Sequence, residues 1–144
     1  MQPDYELLHL SNQLIFIKWH KSPSNLQIEQ RFLLDIQQIL DEADHKIYFL
    51  SDLRKGRIIT IRTLQSLGAM TVHENWGGSA AFSRNLTTKL FVNTFTRLSK
   101  TTEQKDRMFE KPEKALAFMA SLHPGLIDGI DWGAHLGGDV VARA

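Results

Sequence analysis

The chain has 144 residues, 42% hydrophobic and 23% charged, with 17 Lys and Arg against 16 Asp and Glu and no cysteine. That length suits a single domain able to bury roughly two-thirds of the surface it exposes when unfolded, and the missing thiols exclude disulfide scaffolds, thiolate metal sites and cysteine nucleophiles. A net charge of +1 lacks the basic footprint of nucleic-acid binding; no window approaches the ~18 uncharged apolar residues of a membrane span, and no basic region leads into an apolar run at the N-terminus, so a cytoplasmic location is expected.

Tyr5 to Leu10 and Leu14 to Trp19 are two β-favouring runs separated by Ser11-Asn12-Gln13, the pattern of a hairpin. Between Ser24 and Asp41, Leu26, Phe32, Leu33, Ile36, Ile39 and Leu40 recur at helical spacing, with Pro23 and Ser24 or Asn25 marking the start. Ile47-Tyr48-Phe49-Leu50 is short and almost wholly apolar, as a central strand covered on both faces must be. After the basic turn Arg54-Lys55-Gly56-Arg57, residues Ile61, Leu64, Leu67 and Val72 predict a second helix, stopped by Gly77-Gly78. A fourth strand is expected over Ser79 to Ser83, a helix from Leu86 to Leu98, and a fifth strand at Arg107-Met108-Phe109. Pro112 suits the first turn of a last helix that buries Ala115, Leu116, Phe118, Met119 and Leu122 and ends at His123-Pro124-Gly125. The remainder holds five of the nine glycines and reads as an irregular tail anchored by Leu126, Ile130, Trp132 and Leu136.

Strands alternating with helices imply an α/β fold with a mainly parallel sheet and right-handed crossovers, made mixed by the first hairpin. The expected division is one domain over 1–122 and a Gly-rich C-terminal tail over 123–144 that packs on the domain or on a dimer partner.

This order of elements resembles the STAS fold of anti-sigma-factor antagonists, in the SpoIIAA-like branch that borders the lipid-binding Sec14-type domains. The resemblance spans about Tyr5 to Leu122. It is carried by Ile47-Tyr48-Phe49-Leu50-Ser51-Asp52-Leu53-Arg54, similar to the family's central strand ending in Asp, and by Met108-Phe109-Glu110-Lys111-Pro112-Glu113-Lys114-Ala115-Leu116-Ala117-Phe118-Met119, similar to the branch's closing pattern. It implies about five strands and about four helices, and a non-enzymatic regulatory or protein-binding module. The phosphoswitch members of that family carry a Ser, usually after an Asp, where the helix beyond the central strand begins. Here the corresponding loop runs Arg54-Lys55-Gly56-Arg57-Ile58-Ile59-Thr60 with no Asp-Ser, and its nearest hydroxyl, Thr60, is equally an ordinary helix cap.

Open α/β sheets place ligands beyond the carboxyl ends of their strands, which makes Arg54, Lys55, Arg57 and Arg62 the candidate anion-binding residues, able to hold a phosphate, sulfate or carboxylate. A solvated basic turn explains the same residues. His73-Glu74 opens a zinc-protease motif, but position 77 is Gly where the second His is required. His9, His20, His45, His123 and His135 lack ligand spacing, and Asp41, Glu42 and Asp44 read as a solvated turn beside His45, so no metal and no cofactor is expected. No Gly-x-Ser-x-Gly, Gly-x-x-x-x-Gly-Lys or Gly-x-Gly-x-x-Gly occurs. Three readings follow: a regulatory or protein-binding module acting through the second helix, the basic turn and the tail; a carrier of a lipid or small apolar anion, with Arg54, Lys55 and Arg57 at the head group and Trp76, Phe82, Phe91 and Phe95 along a pocket; or an enzyme whose site forms only on folding. Ile130, Trp132 and Leu136 are candidates for a homodimer contact or for docking on their own chain.

Overall fold

The computed structural model describes residues 3–56, 60–85 and 105–137. Five strands, β1 (Tyr5–His9), β2 (Leu14–Trp19), β3 (Ile47–Asp52), β4 (Trp76–Phe82) and β5 (Asp106–Phe109), form one sheet in that order. β1 runs antiparallel to β2 and every other pair is parallel. The helices are α1 (Leu26–Glu42), α2 (Ile61–Met70), α3 (Pro112–Leu122) and the short α4 (Trp132–Leu136). The chain therefore forms one α/β domain on a mixed, mostly parallel sheet with β3 at its centre.

β2 and β3 are buried on both faces because their consecutive apolar residues point alternately to two different layers. Ile15, Ile17, Trp19, Ile47 and Phe49 face α1 and α2, which bury Phe32, Ile36, Leu40, Leu64 and Leu67 against them. Leu14, Phe16, Tyr48 and Leu50 face the other way, under α3 and the segment that follows it. α1 starts where the Asn25 side chain accepts the Ile28 N–H at 3.0 Å. At its end the carbonyls of Leu40 and Ala43 accept from the Asn75 side-chain amide at 3.0 and 2.8 Å.

Two expectations are corrected at β4. The helix predicted to reach Val72 and stop at Gly77-Gly78 ends at Met70, capped at Thr71, and β4 starts at Trp76 rather than Ser79, with both glycines inside it. The glycines answer a steric demand rather than a turn. A Cβ at Gly77 would stand 2.6 Å from the Tyr48 ring, and one at Gly78, whose φ is +147°, would stand 2.8 Å from the Lys105 carbonyl. The pairing also slips there: Ile47 is opposite Trp76, but Tyr48 is opposite Gly78. One extra residue reverses the alternation, so Trp76 packs with α1 and α2 while Phe82 packs under α3. The tail holds a further difference, since Asp131 caps α4 by accepting from the Ala134 N–H at 3.2 Å, where the glycines suggest only irregular chain. The helix expected over 86–98 lies outside the described residues.

Candidate functional site

The loops leaving β2 and β3 meet at the carboxyl end of the sheet, where the sequence places a cationic site. The geometry gives Arg54 internal partners. Asp52, the last residue of β3 and 3% exposed, accepts from Arg54 three times: from its backbone N–H (3.1 Å), from Nε (3.0 Å) and from Nη2 (2.8 Å). Nη1 of the same guanidinium donates to the Leu136 carbonyl at 3.1 Å, and its carbon lies 5.2 Å from the centre of the Phe82 ring. A two-pronged bond to a buried carboxylate is the strongest arrangement a guanidinium makes, and it turns Arg54 from a ligand-binding candidate into a brace joining β3, β4 and the C-terminal segment.

Gly56 is buried against the loop after β2, where a Cβ would fall 2.2 Å from the Lys21 carbonyl carbon and 2.6 Å from the Ser22 nitrogen. Asp4 ties the same loop down, accepting from the Ser24 backbone and hydroxyl at 2.9 Å each, with Lys21 Nζ at 3.3 Å. On the other side Glu29, on α1 and only 1% exposed, accepts the Thr60 hydroxyl at 2.6 Å and the Thr60 N–H at 3.3 Å. A carboxylate at the first turn of α2 complements the positive end of that helix, so Glu29 fills with protein the place an anion could take. Glu29→Ala leaves the Thr60 hydroxyl unpaired and opens a void, with an expected loss of about 2 kcal/mol, and Glu29→Gln loses about half of that. Urea unfolding of the two variants measures both, and equal losses would mean that the bond to Thr60 contributes nothing.

Lys55 and Arg62 are exposed and pair with no described residue. Two large apolar side chains at the starts of α1 and α2 are exposed as well: Leu26, one turn before Glu29, at 61%, and Ile61, between Thr60 and Arg62, at 47%. Sequence reasoning missed both, because exposure of a lone Leu or Ile has no local signature. Arg57, Phe91 and Phe95 lie outside the described residues. Trp76 and Phe82, on opposite faces of the sheet, are not brought together as two walls of one pocket. Trp132 and Leu136 are buried in their own chain, and Ile130 is half-buried beside them.

At the opposite end of the sheet two histidines make contrasting bonds. His45 Nδ1 is 2.7 Å from Asp44 Oδ1, and its Nε2 faces the Asn12 carbonyl. Both partners only accept, so only the protonated ring can donate to both, and the Asn12 carbonyl first and Asp44 second push its pKa above the ordinary value. His73 instead accepts the Asn75 N–H on Nδ1 at 3.0 Å, and its Nε2 lies 3.0 Å from Asp41. A folded-state pKa raised above the unfolded one stabilises fully below about pH 6.5 and loses that contribution as pH rises through the raised value. The nitrogen chemical shifts of His45 are therefore expected to titrate with a midpoint above that of free imidazole, and Asp44→Asn to lower it. A midpoint at or below the free value contradicts the doubly bonded ring.

Among the described residues, no three His, Asp or Glu side chains group so as to hold a metal ion, and no helix is long and apolar enough to cross a membrane. Sheet order and layering define a single-domain α/β protein, and its class is the SpoIIAA-like fold. The crystal structure of an uncharacterised DUF3478-family protein with a SpoIIAA-like fold, from Shewanella loihica PV-4, matches with a TM-score of 0.54 over 79% of this chain and 90% of that one, at 11% identity. Identity at that level speaks for the fold and carries no site residue across. No family model matches the chain, and no curated protein matches it.

Proposed function

We propose that the chain is a protein-binding module of STAS type, without chemistry of its own, that receives its partner on the edge formed by the N-terminal ends of α1 and α2. One observation carries this reading: the exposed side chains of Leu26, one turn before Glu29, and Ile61, next to Thr60, belong to the two helix ends that the Glu29–Thr60 bond joins, and the exposed Arg62 follows Ile61 directly. Large apolar residues next to cations, on a rigid base, are the composition of a docking patch rather than of a solvated face. The partner that fits is a protein segment with apolar residues and net negative charge. Arg54, Glu29 and Asp52 are engaged internally, so what the patch offers a partner is contact area and positive potential.

The test compares wild type with Leu26→Asp/Ile61→Asp, both verified as folded by circular dichroism, in affinity capture followed by native mass spectrometry of the complexes. Proteins captured in stoichiometric amounts by wild type and lost with the double variant are expected. Equal capture by both proteins overturns the reading, and a reproducible bound small mass without any protein partner shifts it to a carrier.

A further inference from the structure

The second face of the sheet is covered by two elements of different kinds. α3 lies over β4 and β5 and seats Ala115, Leu116 and Met119 there. The β2 side carries segment 124–137 instead, whose Trp132 ring meets Phe16 edge-on at 6.4 Å, with the His135 ring 5.7 Å from the same Phe16. Beneath this cover Leu14, Phe16, Leu50 and Phe82 have no exposed surface.

Segment 124–137 holds itself together. The Asp128, Trp132, Ala134 and Gly137 N–H groups donate to the carbonyls of Gly125, Ile130, Asp131 and Gly133, and the Trp132 indole N–H donates to the Ile127 carbonyl at 3.0 Å. Among the described residues two hydrogen bonds join it to the rest of the domain: the Leu126 N–H donates to the His123 carbonyl at 3.2 Å, at the root of the segment, and Arg54 Nη1 donates to the Leu136 carbonyl at 3.1 Å, at its far end. At its start Gly125 turns at φ +76° with open space around it, the nearest atom to a Cβ there being the segment's own Asp128 carboxylate at 3.8 Å.

We propose that segment 124–137 is a strap that lifts off β2 and β3 as one unit while the domain stays folded, with the Arg54–Leu136 bond as its latch. Lifting unseats Leu126, Trp132 and Leu136 and breaks at most two hydrogen bonds, the latch and the Leu126–His123 bond at the root, but keeps every bond inside the strap. The cost of lifting is therefore almost wholly apolar and local to one layer, which places this opening below global unfolding in free energy. Opening bares an apolar strip over β2 and β3, with the Arg54 guanidinium at its end still fixed by Asp52 and one donor freed. The strap thus gates a surface on the opposite side of the sheet from the α1–α2 edge, and it stands independently of the binding role proposed there.

The chain contains no cysteine, so single thiols report cleanly. In the full chain, Leu136→Cys places one under the strap and Met119→Cys one under α3, both at buried positions. Labelling by a thiol reagent without denaturant is expected to be on the order of 100-fold faster at position 136 than at position 119. Arg54→Lys, which keeps a cation beside Asp52 but not the fork that reaches Leu136, is expected to raise that ratio by a further ~10-fold. Equal rates that climb together with denaturant overturn the strap, and a ratio indifferent to Arg54→Lys overturns the latch. Hydrogen exchange on the unsubstituted protein gives a second reading: faster exchange across 124–137 than in β2 and β3 supports independent opening, and equal protection contradicts it.

Discussion

Gly56→Ala is expected to destabilise the domain by about 3 kcal/mol, visible as a fall in Tm of about 10 °C at the roughly 3 °C per kcal/mol of a chain this size. The added methyl would sit 2.2 Å from the Lys21 carbonyl carbon and 2.3 Å from its oxygen. Both belong to backbone, so no rotamer change relieves the overlap, and the loops after β2 and β3 must separate. Lys55→Ala next to it removes an exposed side chain and is expected to change stability by less than about 0.5 kcal/mol. Thermal unfolding of the pair checks the claim that the turn is shaped by close packing and not by its charges. Similar Tm values for the two variants would refute it.

Arg54→Ala is the second large effect. It leaves Asp52 a buried carboxylate with one backbone donor where it had three bonds from Arg54. Removing one member of a buried pair costs about 3–5 kcal/mol, and because the Arg54 side chain is 39% exposed the expectation is the lower end, about 3 kcal/mol. Asp52→Leu combined with Arg54→Met, which removes both charges, is expected to recover more than half of that loss. Guanidinium unfolding of both proteins decides it. If the double variant is no more stable than Arg54→Ala, the loss comes from the contacts with Phe82 and Leu136 rather than from the stranded carboxylate.

The difference between the legible and the hidden parts of this molecule is one of range. α1 and the central strand are legible because their signals are local: Phe32, Ile36 and Leu40 repeat at one helical period, and Ile47 to Leu50 is an unbroken apolar run. Gly77-Gly78 misleads because glycine signals a chain break when read locally, whereas here Gly77 answers the approach of Tyr48, 29 residues away, and Gly78 that of Lys105, 27 residues away. The same slip in pairing puts Trp76 and Phe82, six apart in β4, on opposite faces, and no local pattern announces it. For Arg54 a signal does exist. Asp52 closes an apolar strand with a charge that burial can tolerate only beside a cation, and Arg54 follows two residues on. Glu29 and Thr60 are 31 residues apart, and nothing in either neighbourhood announces their bond. The anchoring role of Trp132 and Leu136 is legible from the apolar residues alone, but the choice between their own chain and another depends on how the strap is held.

That the charges at the carboxyl end of the sheet hold the fold, and are not a vacant anion site, is tested most directly by nuclear magnetic resonance of the Arg54 side chain during titration with inorganic phosphate. The Arg54 Nε–H resonance is expected to be slow to exchange with water and unmoved by phosphate, while small, non-saturating shifts are confined to Lys55 and Arg62. A saturable phosphate-dependent shift of the Arg54 resonance, accompanied by faster exchange of its Nε–H, would contradict that assignment and restore the anion site.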